Sequence, residues 1–329
     1  SLLFLIEKQL EDNFEKNLAG IDLVIGAKGS PLQLILSSMY HIDAPTGNIS
    51  LKEVRPFLNP KHPLIKQAIP HSMGDSYRTY RILGTSHDIL GLYDAEIEEG
   101  RIWEKHFEVT LGAEVANSLG IRIGDSFKSS HGFMEDDNLA HDDAESFKVV
   151  GILKPNGTVL DQLILCTTQS FWLVHDHDGP ANTAADHDHD HDHDHDHDHE
   201  HAAMDLTPKP LLEEDLSKEI TSVLLVFKNR SYQALNMQRN INENTDLLAA
   251  TPAIEVNRLF TLMNTGEQAL RILAFVIIFV SALSIFISLF SSLKARKYEL
   301  ALMRVMGAHP SRIFYLIILE GLLLALLGY

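Results

Sequence analysis

The chain has 329 residues, 45% of them apolar, enough for one large or two ordinary domains with a full core. Its net charge of −18, from 27 basic and 45 acidic residues, is concentrated in one tract holding Asp176, Asp178, the aspartates of Asp186–Asp198 and Glu200; the remainder is mildly acidic, which argues against nucleic acid as a partner. One cysteine, Cys166, excludes an internal disulfide and a multi-cysteine zinc site, and within "LILC" it reads as a small buried core residue.

The opening "SLLFLIEKQLEDNFEKNL" starts apolar and becomes charged, with Ile6, Leu10, Phe14 and Leu18 forming one apolar helical stripe. Residues 1–18 are expected to be the outer end of a first, mostly missing transmembrane helix and its stalk, so that the chain reads as a fragment of something larger. "IDLVIGA" then alternates Ile21, Leu23 and Ile25, the period of a strand. Lys28 in "GAKGSP" is not part of a G-x-x-x-x-G-K-[ST] phosphate loop, and no such loop occurs in the chain; the segment reads as a turn closing the strand.

Further strands are expected at Tyr77–Leu83, Ser146–Leu153, Asp161–Cys166 and Ser222–Lys228, and helices at Ala113–Gly120 and Tyr232–Asn244. "SSHGFMEDDNLAHDDAESF" reads as a long hairpin loop. Strands and helices alternate without a strict βαβ rhythm, which predicts an α+β domain over residues 19–266.

A second insertion, residues 175–210, cannot bury a core and is expected to be disordered without a ligand. It carries His175, His177, His187, His189, His191, His193, His195, His197, His199 and His201, alternating with carboxylates through the repeat. Neutral imidazole binds Zn²⁺, Ni²⁺ and Cu²⁺, so the tract is expected to hold several ions loosely and to release them as its histidines protonate near pH 6–6.5. A solvated acidic linker is the competing reading. His131 and His141, in the other loop, are candidates for a further site with His175. "HEH" at His199–His201 is not H-E-x-x-H, so a zinc hydrolase is disfavoured, and no cofactor is required.

Ile272–Leu293 is free of formal charge and long enough to cross roughly 30 Å of hydrocarbon, which takes about 20 helical residues. Residues 267–293 are therefore expected to be a transmembrane helix. Residues 294–311 carry Lys294, Arg296, Lys297 and Arg304, followed by Arg312, against one acid, Glu299. That bias predicts a cytoplasmic loop and puts the large domain outside. "YELALMRVMGA" predicts a short amphipathic helix ended by Gly307, with Pro310 opening the next. Residues 312–329, a second apolar run, are expected to be the next transmembrane helix, truncated; it is interrupted by Glu320, whose charge in hydrocarbon calls for a protein partner or a functional role.

"VTLGAEVANSLGIRIGDSFK" and "FKVVGILKPNGTVLDQLIL" resemble the periplasmic core domain of MacB-type ABC permeases. "RKYELALMRVMGAHPSRIFYLIILEGLLLALLG" resembles the membrane module of FtsX-like permeases, which include macrolide exporters and the lipoprotein-releasing LolC/LolE group, and "DLVIGAKGSPLQLILSSMYHIDAPTGNI" resembles one subgroup of them. The resemblance implies a multi-pass protein of the bacterial inner membrane with its domain in the periplasm. It implies a permease dimer and a separate cytoplasmic ATPase, leaving this chain without enzymatic activity. It makes residues 294–311 a coupling loop and helix, with Glu299, Leu300, Arg304, Val305, Met306 and Gly307 as the contact. Transport of an unidentified substrate and mechanotransmission to a periplasmic partner both fit it.

Overall fold

The computed structural model describes residues 8–9, 13–131, 146–176, 207–229 and 231–327. It divides into two compact units, Ser1–Leu259 and Phe260–Tyr329.

In the first unit, β1 (Leu23–Ala27) leads into α1 (Pro31–Met39), β2 (Ile49–Ser50) and α2 (Leu51–Leu58). A hairpin of β3 (Ile65–Tyr77) and β4 (Tyr80–Thr85) follows, then α3 (Asp88–Leu92), β5 (Ile97–Gly100) and β6 (Glu108–Leu111). Next come α4 (Ala113–Leu119), β7 (Ser126–Phe127), β8 (Ser130–His131), β9 (Phe147–Leu153), β10 (Leu163–Thr167) and α5 (Thr168–Asp176). Finally β11 (Glu219–Ile220), β12 (Ser222–Phe227), α6 (Tyr232–Asn244) and β13 (Leu247–Ala250) precede α7 (Pro252–Ala295), which begins in the first unit and ends in the second.

Local chemistry sets several boundaries. Ser30 caps α1 by accepting from the Gln33 amide, with Pro31 in the first turn, where its missing N–H costs nothing. Ser231 does the same for α6 through the Ala234 amide. Gly120 ends α4 at φ +65°, a conformation that favours glycine.

Among the described residues, eleven strands form one mixed sheet with the path β13-β1-β12-β3-β4-β10-β6-β9-β5; β7 pairs with β9 and β8 with β3. Most pairs are antiparallel, but β10 runs parallel to β4 and β6 parallel to β9. That mixture agrees with the expected α+β class. β1 lies between β12 and β13, with Val24 opposite both Leu224 and Ala250. The chain thus enters and leaves the sheet side by side. Two apolar clusters fill the unit. One joins Leu23, Ile25, Val223, Leu225, Met237 and Ile241, and the other joins Val109, Phe147, Val149, Ile164, Cys166 and Phe171. At the β5–β9 edge Gly151 is obligatory, because a Cβ there would sit 2.0 Å from the Arg101 carbonyl oxygen.

The structure corrects three expectations. Tyr77–Leu83 is not one strand: the chain reverses at Arg78 (φ +54°), splitting the segment between β3 and β4. Most of β3 escapes a hydropathy reading because its His71, Ser72, Asp75 and Ser76 are polar yet buried. β1 is apolar on both faces, with Val24 as buried as Leu23 and Ile25, because helices pack on both: Leu23 and Ile25 join Met237 and Ile241 of α6, and α1 brings Leu34 against Gly26. The second insertion begins later than expected, since His175 and Asp176 belong to α5.

In the second unit α7 gives way to α8 (Lys297–Val305) and α9 (Pro310–Leu327). Gln268–Ala295, with mean hydropathy 2.9 and no burial, is the one stretch among the described residues long and apolar enough to cross a membrane.

Candidate coupling segment

α8 follows α7 after a single linking residue, Arg296. Its end is built for a sharp stop. The Ala308 amide donates to the Met303 carbonyl (3.0 Å) and the Gly307 amide to the Arg304 carbonyl (3.1 Å), with Gly307 at φ +92°. This pair of bonds satisfies the last carbonyls of the helix and requires a left-handed residue where glycine stands. Pro310 then opens α9.

Two faces of α8 differ in what they meet. Leu300 and Met303 line a small cavity of about 60 Å³ with Leu289, Leu293, Leu316 and Ile317. Tyr298, Leu302, Val305 and Met306 are exposed instead. Their spacing, i, i+4, i+7, i+8, makes them one continuous apolar stripe. Beside the cavity, Arg296 Nη1 lies 3.0 Å from Glu320 Oε1 and donates to Oε2 at 3.3 Å. The acid that interrupts the second apolar run therefore has a partner at the start of the basic segment. α9 also approaches α7 closely here, since a Cβ on Gly321 would lie 3.3 Å from Leu289.

The residues expected to make the contact separate accordingly. Leu300 and Glu299 line the inner cavity, Val305 and Met306 belong to the outer stripe, Arg304 is exposed, and Gly307 forms the turn. The sequence reading missed Tyr298 and Leu302, although their spacing from Val305 and Met306 was the signal that would have found them.

Of the expected metal ligands, His141, His177 and His187 to His201 lie outside the described residues. His131 stands in β8, its backbone opposite Asp75, and His175 in α5. Among the described residues no three His, Cys, Asp or Glu side chains gather as a metal site. The return of the second insertion is anchored: Gln169 of α5 donates to the Lys209 carbonyl (2.7 Å) and the Glu214 carboxylate (3.4 Å). A cleft of about 230 Å³ opens there, lined by His106, Gln169, Trp172, Lys209, Glu214 and Lys218. Cys166 is fully buried in β10, and burial pushes its thiol pKa up, so the thiolate is strongly disfavoured.

At the sheet edge, Arg101 holds Glu108 with two bonds, Nη1 to Oε2 at 2.8 Å and Nη2 to Oε1 at 2.5 Å. The Glu104 and Lys105 amides add to them, and together they bring the Glu108 pKa down to about 2 despite the opposing cost of burial.

Comparison with known proteins adds a family for the C-terminal part. Residues 271–329 match the family described as FtsX-like permease C-terminal. No curated protein matches the chain. Among solved structures, it is similar to the periplasmic region of MacB from Actinobacillus actinomycetemcomitans, at 9% identity over 75% of this chain and 97% of that one, with a TM-score of 0.41. It is similar to the extracellular domain of the noncanonic ABC-type transporter YknZ from Gram-positive bacteria (11%, 70% and 99%, TM-score 0.35). It is also similar to a domain of a putative permease protein from Porphyromonas gingivalis (12%, 71% and 91%, TM-score 0.32). At these TM-scores the three carry no weight beside the C-terminal match.

Proposed function

We propose, from the premise that the chain is an FtsX-like permease over residues 271–329, that it is the permease subunit of an ATP-binding-cassette system whose ATPase is a separate cytoplasmic protein. The observation that carries this reading is the exposed stripe Tyr298, Leu302, Val305 and Met306 on a short helix between two apolar helices. An amphipathic helix of that spacing is the form in which a helix enters a groove on a partner. Lys294, Arg296, Lys297 and Arg304 put this helix on the cytoplasmic side. The ATPase would move α8, and α7 would pass that movement toward the first unit, outside the membrane. The sheet supports such an arrangement, because its entry and exit are adjacent at Val24 and Ala250, as a domain held between two membrane helices requires.

The test is copurification of a nucleotide-hydrolysing partner with the tagged full chain. Leu302→Asp and Val305→Asp should each abolish capture while the purified chain melts as before. Capture that persists in both variants sinks the coupling role of α8.

The His/Asp tract extends the proposal: it collects metal ions for the first unit, and the described segment that follows it is fastened by Gln169 at the Lys209 carbonyl. Zinc calorimetry on the full chain should give several weak sites that vanish when the histidines of residues 177–201 are replaced by asparagine. Unchanged binding after replacement removes the tract from the function.

A further inference from the structure

In the first unit two histidines and a methionine meet without a purpose that packing explains. His71 and Met73 are two residues apart on β3, so they share one face of the strand. Both are buried, at 1% and 8% exposure. The third, His41, follows α1 at φ +53°, an uncommon conformation for a residue with a side chain. Its ring lies 5.9 Å from that of His71, centroid to centroid, and its Nδ1 lies 3.1 Å from the Met73 sulfur.

The tautomer of His71 follows from its one partner. Its Nδ1 is 3.1 Å from the Ser38 carbonyl oxygen, and a carbonyl only accepts, so Nδ1 carries the proton. Nε2 is then the nitrogen with the free lone pair, and it is buried with no hydrogen-bond partner. An imidazole whose one nitrogen is fixed by a backbone carbonyl while the other is left bare is the arrangement that orients a metal-binding histidine. Burial also disfavours the protonated form of both rings, and a neutral ring is the one that ligates.

We propose that His41, His71 and Met73 form a binding site for a single copper(I) ion. The thioether decides the metal, because soft sulfur ligands select Cu(I) whereas Mg²⁺, Ca²⁺ and Mn²⁺ want oxygen. Charge points the same way. The nearby Arg81 guanidinium repels positive charge at His41, and a monovalent ion suffers less from that than a divalent one. The space fits with a small adjustment: bonds of about 2.0 and 2.3 Å at a tetrahedral angle set nitrogen and sulfur about 3.5 Å apart, against the 3.1 Å between His41 and Met73. No step of this argument depends on the permease assignment.

The test is Cu(I) titration of the full chain in detergent under ascorbate, with a chelator in competition, after replacing the histidines of residues 177–201 by asparagine. One equivalent should bind, and X-ray absorption should show one sulfur and two nitrogens around the copper. Met73→Leu keeps the side-chain volume and should melt normally without copper, lose the sulfur signal, and weaken binding by about tenfold or more, since losing even an outer partner of a metal ligand costs about that much. His71→Gln should weaken binding at least as much; if it fails to fold, Met73→Leu decides alone. No copper bound by the tract-replaced chain, or a sulfur signal that survives Met73→Leu, overturns the site. Zinc that displaces the copper at equal concentration overturns the choice of a soft ion.

Discussion

Arg296 and Glu320 stand 24 residues apart in the chain and 3.0 Å apart in space, joining the residue that links α7 to α8 with the middle of α9. A carboxylate in an apolar helix is costly when ionised and unpaired, and a guanidinium in contact with it offsets part of that cost. Removing one partner strands the other. Glu320→Gln and Arg296→Gln should therefore each lower the melting temperature of the detergent-purified chain, and the double variant should lose less than their sum. A coupling of about 0.5–3 kcal/mol is the range for residues in contact. Strict additivity would show that the pair does not join the helices.

The two faces of α8 should respond to mutation differently. Leu300→Ala empties space against Leu289 and Leu316 and should cost stability, about 2–3 kcal/mol if the cavity fails to close. Leu302→Ala, on the exposed stripe, should leave the melt within about 0.5 kcal/mol and weaken ATPase capture. Thermal melts and copurification on the same two variants separate the faces; identical behaviour would merge them.

Gly307 is held at φ +92° by the bonds that end α8. Gly307→Ala should cost about 1 kcal/mol, since only glycine adopts that conformation freely. Ala308→Gly, one residue on, should cost less. Circular dichroism melts of the two variants would reveal the order, and a reversed order would place the turn elsewhere.

The Arg101–Glu108 pair predicts an acid response of the first unit. The carboxyl pKa is held at about 2 against an ordinary 4.5, so the unfolded chain takes up the proton first as pH falls. The stabilisation is complete above pH 4.5 and is lost as pH drops through 4.5 toward 2. Arg101→Gln should flatten the loss of stability across that window and lower stability above it. Denaturant midpoints at pH 6 and pH 3 give the comparison; equal pH dependence in both proteins would dismiss the pair as a contributor.

Much of the fold was legible because local pattern and tertiary role agreed. α4, α6, β9, β12 and the glycine stop of α8 were readable for that reason, and so was the charge bias around α8. Where buried polar groups carry the structure, the pattern failed. β3 hides among His71, Ser72, Asp75 and Ser76, whose burial depends on neighbours distant in sequence. The parallel pairing of β10 with β4 leaves no local trace either. For Glu320, its cost was visible in the sequence, but not its partner. The copper ligands had the faintest signal of all: "H-x-M" on β3 means little until α1 brings His41 beside it.

The position of β1 constrains how this domain can fold. Among the described residues it is the first strand in chain order, yet its two hydrogen-bonded neighbours, β12 and β13, are the last. During synthesis β1 must wait, unpaired, until about residue 250 has appeared. A chain interrupted before that point would present Leu23–Ala27 as two open edges, the form of strand that proteases find and that neighbouring chains capture.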